Sequence, residues 1–233
     1  MLQNEQILIL SLFGTYGTVL LLFYFLKEQG LYLWTIIATV SANIEVLIVI
    51  YAFGMEMTLG NLLFASTFLV TDIASEIYGK QTAQKTVQLG IITSVLFILI
   101  SQSWMLYKPA QTDWAAPAIH EIFSNTPRMM LTSLLVYAIV QMLDVWLYHK
   151  WWEYTKKRFG DNRRFLWLRN NGSTLISQLF NAALFTFGAF WGTYQIQTLV
   201  SITVSSYLIF IVTSLADTPF VYAARKISKQ PVV

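Results

Sequence analysis

The chain has 233 residues, of which 56% are hydrophobic and 12% charged, and its formal net charge is +3. Soluble globular domains contain about 25% charged residues, so this chain lacks the polar surface to cover a water-soluble core. Lipid is therefore the expected solvent of much of its surface. The absence of cysteine excludes disulfides and thiolate metal sites, and two histidines make a histidine-based metal centre unexpected. The charge excess gives no reason to expect nucleic acid as a partner, and no cofactor is predicted.

Seven apolar segments have about the 20 residues that a membrane-spanning helix needs. In chain order they are residues 7–26, 31–53, 59–78, 86–107, 129–148, 173–192 and 196–222. The third is the weakest because its last turn is polar, so six spans are the alternative count. A short interfacial helix is expected around residues 116–123. No linker or low-complexity tract divides the chain, so residues 1–233 are predicted to form a single all-α membrane domain.

The distribution of basic residues supports seven spans. If the spans alternate, 13 of the 15 lysines and arginines lie on one side of the membrane, and only Lys108 and Arg128 lie on the other. The positive-inside rule places the larger group in the cytoplasm. The prediction is a multi-pass protein of a bacterial inner membrane, with the N-terminus outside and the C-terminus inside. The basic and aromatic stretch 150–172 is then a cytoplasmic loop that anchors the protein at the membrane surface.

Acidic residues are the most informative polar feature. Those within or at the ends of predicted spans are Glu45, Asp72, Glu76, Asp144 and Asp217. An ionisable side chain in lipid costs roughly 2.5–3.5 kcal/mol on insertion scales. No lysine or arginine lies deep in a predicted span, so the interior is expected to contain acids without cations. Asp72 and Glu76 are four residues apart and share a helical face, which suits ligand binding or proton coupling. The alternative is a helix end in cytoplasmic water.

Further polar residues follow helical spacing in the later spans. The sixth span carries a stripe that includes Gln178 and Asn181, and the seventh carries Tyr207 and Asp217 on roughly one side. Ligand contacts and hydrogen bonds between helices are both open for these residues. Gly188 and Gly192 form a G-x-x-x-G pair, which predicts close packing against another helix, within the chain or across a dimer.

Three sequence blocks carry a resemblance to a known family. They are VTDIASEIYGKQTAQK at 70–85, WLRNNGSTLISQLFNAALFTFGAFWG at 167–192 and SLADTPFVYAAR at 214–225. From about residue 31 to residue 225 the chain resembles the queuosine-precursor transporter family, a branch of the vitamin uptake transporters. The resemblance implies import of 7-cyano-7-deazaguanine or 7-aminomethyl-7-deazaguanine for tRNA modification.

The candidate site residues are physical inferences on and around these blocks. A guanine-like edge offers adjacent N–H and NH₂ donors, which one carboxylate accepts together, and its carbonyl requires a donor such as an amide. Aromatic rings such as Phe180 and Phe185 are candidates for stacking on the base. The substrate-binding candidates are Asn61, Phe68, Asp72, Glu76, Asn170, Asn171, Gln178, Asn181, Tyr207 and Asp217. The proton-coupling candidates are Glu45 and Asp144, and no metal ligand is proposed.

The predicted activity is secondary or facilitated transport by alternating access, without ATP hydrolysis by this chain. The expected partners are a small deazaguanine-type molecule and the lipid bilayer, and a homodimer is left open. The alternatives are a substrate-capture subunit that needs a separate ATPase module, an intramembrane enzyme such as a protease, and a non-transporting scaffold. An enzyme is not expected, because the sequence has no G-x-S-x-G elbow, H-E-x-x-H pair or Walker A loop.

Overall fold

The fold is a helical bundle with one β-hairpin, seen in a computed structural model that describes residues 3–124, 127–160 and 164–228. The elements in these ranges are α1 (Asn4–Leu26), α2 (Glu28–Glu45), β1 (Val49–Ala52), β2 (Met55–Thr58), α3 (Gly60–Tyr78), α4 (Lys80–Trp104), α5 (Ala116–Ser124), α6 (Pro127–Phe159), α7 (Leu166–Phe190) and α8 (Ile196–Ser228). The short helix α5 confirms the helix predicted at residues 116–123.

Five helices are long and apolar enough to cross a membrane, namely α1, α4, α6, α7 and α8. They expose large apolar side chains such as Phe13, Leu99 and Leu135, which are more than half accessible. Surfaces of this kind are stable in lipid and unfavourable in water. The prediction of an all-helical, multi-pass membrane bundle is therefore confirmed, apart from the hairpin. The count of seven spans stays a prediction, because α2 and α3 are not among the five.

The second predicted span, residues 31–53, is wrong in its C-terminal part. α2 ends at Glu45, and the following strands β1 and β2 pair in antiparallel register. The turn between them contains Phe53 and Gly54 at φ values of 52° and 75°. Two positive φ values in succession are typical of the type I′ turn that joins two-residue hairpins. Asn4 and Glu5 hydrogen-bond to backbone groups of Tyr51 and Phe53, which attaches the hairpin to the start of α1.

Helix α3 is the central element of the bundle. It packs against α1, α2, α4, α6 and α8, and every residue from 65 to 77 is buried. It ends at Tyr78 and is followed by Gly79, whose φ of 86° allows the chain to turn directly into α4. A helix enclosed by protein can carry polar side chains that lipid would exclude. α3 therefore brings Asp72 and Glu76 into the interior of the protein.

The cytoplasmic loop predicted at residues 150–172 is mostly helical. α6 continues to Phe159, and α7 begins at Leu166 rather than at residue 173. Arg169, Asn170 and Asn171 thus belong to the first turns of α7. At the end of the chain, α8 continues through Pro219 to Ser228, beyond the predicted limit of residue 222. These extensions carry basic residues into the bundle.

The two glycines of the G-x-x-x-G pair have different surroundings. A Cβ atom on Gly188 would lie 2.6 Å from Cγ2 of Thr132, so this glycine lies directly against α6, as predicted. Gly192 follows the end of α7, at a φ of 81°, and has open space where its Cβ would be. The predicted packing within the chain is therefore found for Gly188 and not for Gly192, and contact of Gly192 across a dimer stays a prediction.

Candidate functional site

Polar side chains of α3, α6, α7 and α8 form successive layers in the interior. The inner layer consists of Glu76, Tyr148, Arg169 and Arg225. The acidic layer consists of Asp72, Asp144, Asn170 and Asp217. Beyond it lies a small cavity, the outer cavity, which is lined by Asn61, Phe64, Asn181, Phe185 and Phe210 among others. The order follows the register of the helices, since Glu76, Asp72 and Phe64 lie successively further from the end of α3.

The inner layer is centred on an ion pair inside the bundle. Nε and Nη2 of Arg169 contact Oε2 of Glu76 at 2.9 and 2.7 Å, and Nη2 also lies 2.8 Å from Oε1. The Tyr148 hydroxyl donates to Oε2 at 2.7 Å, and Arg225 lies 3.5 Å from Oε1. The guanidinium carbon of Arg169 stands 4.3 Å from the centroid of the Trp152 ring. Charge-assisted bonds and a cation–π contact thus join α3, α6, α7 and α8 at one point.

The predicted absence of cations from the interior is wrong. Arg169 has no accessible side-chain surface and pairs with Glu76, because α7 begins at Leu166 and includes this arginine. The alternative for Asp72 and Glu76, a helix end in cytoplasmic water, is also not found, since both side chains have 0% exposure. The two acids share a face of α3, but within the described ranges only Glu76 forms an ion pair with an arginine.

The acidic layer receives its hydrogen bonds from neutral side chains. Thr174 donates to Asp72 at 3.3 Å, Ser177 donates to Asp144 at 2.8 Å, and the Asn170 amide donates to Asp217 at 2.7 Å. The carboxyl group of Asp72 lies close enough to Asp144 and Asp217 to interact with both electrostatically. All three aspartates are buried, with at most 1% exposure.

Several oxygens of the acidic layer are left without a hydrogen bond. Within the described ranges, Oδ1 of Asp72, Oδ2 of Asp144 and Oδ1 of Asn170 are buried and have no hydrogen-bond partner. Native proteins pair almost all of their buried polar atoms, because an unpaired one costs about 1–3 kcal/mol. A cluster of free acceptors in one layer is the arrangement expected of a site that accepts N–H donors or protons from a ligand.

A side-chain bridge joins α3 to α6 at a level between Phe64 of the outer cavity and Asp72 of the acidic layer, as counted along α3. The Gln141 amide donates to Thr67 at 2.6 Å and accepts from Thr71 at 3.2 Å, which joins α6 to α3 one turn away from Asp72 and Asp144. On α7, Asn181 donates to Gln178 at 3.0 Å. The outer cavity beyond this bridge has a volume of about 50 Å³ and lies among α2, α3, α6, α7 and α8.

Most of the predicted site residues lie in or next to these layers. Asp72, Asp144, Asn170 and Asp217 form the acidic layer, Glu76 belongs to the inner layer, Asn61 and Asn181 line the outer cavity, and Gln178 bonds to Asn181. Asn171 is turned towards α8, where it donates to Thr218 at 2.8 Å. Phe68 is buried against Val136 and Val140, and Tyr207 packs beside Phe210.

Two predicted residues lie away from the layers. Glu45 is the last residue of α2, next to the hairpin, and shares no described contact with the acidic layer. The Phe180 ring, one of the stacking candidates, is 49% exposed on the outer surface of the bundle. Arg169 and Arg225 complete the inner layer and were not among the candidates; the signal for Arg169 was its place in the R-N-N-G-S block. In the described part of the chain, no group of three or more acidic or histidine side chains is placed to hold a metal ion.

The chain has relatives among known proteins. A family model described as "Putative vitamin uptake transporter" matches residues 58–224, a range that contains the acidic layer. A protein of Bacillus subtilis (strain 168), named "Probable queuosine precursor transporter", is 39% identical over 209 residues, which are 89% of this chain and 89% of the relative. No solved structure matches the chain. The chain therefore belongs to the vitamin uptake transporter family, as its sequence blocks predict, and it is a membrane transporter rather than an enzyme.

Proposed function

We propose that the protein imports queuosine precursors, 7-cyano-7-deazaguanine or 7-aminomethyl-7-deazaguanine, across the inner membrane of a bacterium for tRNA modification. The observation that carries this proposal is the relative named for queuosine precursors, which is 39% identical over 89% of both chains. The layers of the interior add a chemical reason. Buried acceptors without partners are costly, and a ligand that donates N–H groups removes that cost when it binds.

The acidic layer is the proposed point of recognition. A deazaguanine edge presents adjacent N–H and NH₂ groups, and Asp72 and Asn170 each hold an oxygen without a partner. Asp72 is therefore the carboxylate that accepts these donors, and Asp217, bonded to Asn170, completes the layer on the side of α8. Glu76 is held in the ion pair with Arg169 and fixes the inner end of the pathway.

The transport cycle is proposed to be alternating access by a single chain with seven spans. In this proposal α2 and α3 are the two further spans beside the five apolar helices. α3 can be a span because it is surrounded by protein and does not need a lipid-compatible surface. With the N-terminus outside and the C-terminus inside, the inner layer faces the cytoplasm and closes that end of the proposed transport pathway. The outer cavity then lies towards the exterior. Asp144 is the proposed proton-coupling group, because it lies in the acidic layer and Glu45 does not.

Uptake is tested in bacteria that cannot synthesise or import deazaguanines. Cells that express this protein and receive 7-cyano-7-deazaguanine should form queuosine in their tRNA, as measured by mass spectrometry of nucleosides. Cells that express the Asp72→Asn variant at equal membrane abundance are the matched control and should form little. If the parent protein reaches the membrane and no queuosine is formed from either precursor, import of queuosine precursors is rejected.

The energy source is tested with purified protein in liposomes. Accumulation of the labelled precursor without ATP or any other protein supports secondary or facilitated transport. A requirement for ATP and a co-purifying ATPase would instead assign the chain as a substrate-capture subunit. Dependence of accumulation on a proton gradient, lost in Asp144→Asn, is the expected sign of coupling.

The orientation is tested with reporters fused after residue 228. A reporter that is active only in the cytoplasm should function there, because most basic residues flank that side. Activity of a periplasm-only reporter at the same position would contradict both the orientation and the count of seven spans.

A further inference from the structure

We propose that the outer cavity is a separate compartment that binds the flat, uncharged ring system of the substrate before it reaches the acidic layer. The ligand class is a neutral bicyclic heterocycle with an amide-like edge. This inference rests on the proposed function and adds a second binding position, with its own residues, on the route of import.

Aromatic side chains supply the walls of the outer cavity. Phe64 of α3, Phe185 of α7 and Phe210 of α8 line it from three helices, and the rings of Phe64 and Phe210 are 6.2 Å apart and tilted by 52°. Three rings on different helices can contact both faces and one end of a planar ligand. Stacking of this kind recognises a base through its π surface without requiring charge.

The polar groups of the cavity are neutral amides and hydroxyls. Oδ1 of Asn61 accepts a hydrogen bond from Thr58 at 3.1 Å, which leaves its NH₂ group available as a donor. Nδ2 of Asn181 donates to Gln178 at 3.0 Å, which leaves its Oδ1 available as an acceptor. Among the residues that the structure describes, no charged side chain lines the cavity. One donor and one acceptor in neutral surroundings match an edge in which a C=O stands beside an N–H.

The outer cavity and the acidic layer are too far apart to hold the same base edge at once. Asn181 and Thr174, which bonds to Asp72, are seven residues apart on α7, or roughly 10 Å along the helix axis. Along α3, Thr67 of the bridge with Gln141 lies between Phe64 of the cavity and Asp72. A base in the outer cavity therefore has to move along the helices past the level of this bridge to reach Asp72, which makes the two positions successive binding positions of one route.

The cavity can enlarge by movement of a single ring. Its volume of about 50 Å³ is smaller than the roughly 300–1,000 Å³ of common ligand pockets. A second cavity of about 20 Å³, lined by Asn43, Ser94 and Tyr137, shares Phe64 and Ser133 with the first. Rotation of the Phe64 ring would join the two spaces. We therefore expect ligand entry to involve a rotamer change at Phe64 together with the helix movements of the proposed alternating-access cycle.

The first test compares two phenylalanines of α7. Phe185→Leu removes a ring from the cavity, whereas Phe180→Leu removes a ring that is 49% exposed on the outer surface of the same helix. Binding of labelled 7-cyano-7-deazaguanine to purified protein should weaken about tenfold in Phe185→Leu and remain unchanged in Phe180→Leu. Equal affinity of the two variants, both folded, would overturn the proposed compartment.

The second test uses the absence of native cysteine, so that an introduced thiol is unique. In Ser133→Cys the thiol lines the cavity, and in Gln195→Cys it lies in the exposed segment between α7 and α8. Added 7-cyano-7-deazaguanine should slow reaction of a membrane-impermeant thiol reagent only in Ser133→Cys. Equal reaction rates with and without the base, in protein that binds it, would reject the compartment and leave the proposed function intact. Absence of binding by the parent protein would reject both.

Discussion

Glu76 and Asp72 lie one turn apart on α3, are equally buried, and have opposite surroundings. Glu76 receives five hydrogen-bonding or ionic contacts from Tyr148, Arg169 and Arg225. Asp72 receives one hydrogen bond from Thr174, and one of its oxygens has no partner in the described structure. Two acids that look equivalent in the sequence therefore have different surroundings. We propose that the paired acid holds helices together and that the acid with a free oxygen accepts a ligand.

The difference has an energetic basis. A buried ion pair is no more stabilising than good apolar packing, but removal of one partner leaves an uncompensated charge and costs about 3–5 kcal/mol. A buried carboxyl with an unpaired oxygen instead raises the free energy of the ligand-free protein. A ligand that donates a hydrogen bond to this oxygen removes that cost. Mutations in the inner layer should thus affect stability first, and mutations in the acidic layer should affect transport first.

The largest expected effect is that of Arg169→Ala. The change leaves Glu76 buried with fewer compensating charges, so the free energy of unfolding should fall by about 3–5 kcal/mol, or roughly 6–20 °C in melting temperature. Thermal unfolding of the purified protein in detergent measures it. Lys156→Ala, at an exposed position near the end of α6, is the matched charge-removal control and should melt like the parent.

A double variant sharpens this prediction. Glu76→Gln together with Arg169→Gln removes both charges and keeps polar side chains of similar length, so it should be more stable than Arg169→Ala. A double variant that melts lower than the single one, or a single variant that melts with the parent, would show that the ion pair does not hold the inner layer together.

A smaller effect, of a different kind, is expected for Asp72→Asn. The amide preserves size but removes the charged acceptor, so precursor binding should weaken by about 1.5–3 kcal/mol, or roughly tenfold to a hundredfold. The melting temperature should stay the same or rise, because no ion pair is lost. Transport and affinity equal to the parent, in this variant and in Glu76→Gln, would move the site to Gln178, Asn181 and Asp217.

The smallest effect is expected for a substitution at an uncharged contact between two helices. Gly188→Leu places a side chain against Thr132 of α6 and should lower the free energy of unfolding by about 1–3 kcal/mol. Gly17→Leu on α1, where open space surrounds the Cβ position, is the control and should have little effect. If the two variants melt alike, close contact at Gly188 contributes nothing to the packing of α6 on α7.

The helical framework could be predicted from the sequence because apolar segments of sufficient length are distinctive. Every long helix overlaps a predicted span, and α5 was expected within one residue of its observed end. The hairpin was missed because residues 47–51 are an uninterrupted apolar run, and periodicity does not distinguish a short apolar strand from part of a helix. Its β-branched residues and Gly54 were the available strand and turn signals.

The site could be predicted only in part, because the arrangement of its side chains depends on contacts between segments that are distant in the sequence. The acids, which include Asp217, and the amides of α7 were recognisable as polar residues in apolar helices. Arg169 was not recognisable, because a span beginning at residue 173 excludes it. Hydropathy assigns an arginine to a loop even where a buried carboxylate is present to form an ion pair with it. Nothing local in the sequence indicates that Arg169 meets Glu76 and not Asp72, four residues away.

The separation of Glu76 from Arg169 in the chain has a consequence for biogenesis. The partners are 93 residues apart, so α3 leaves the ribosome long before α7. α2 and α3 are also less apolar than the five candidate spans. While α4 and α6 are being synthesised, the nascent bundle contains a glutamate whose arginine has not yet been translated. If α3 is a span, as proposed, its stable insertion depends on the C-terminal half of the protein, and we expect chains truncated before α7 to be preferred substrates of membrane quality-control proteases.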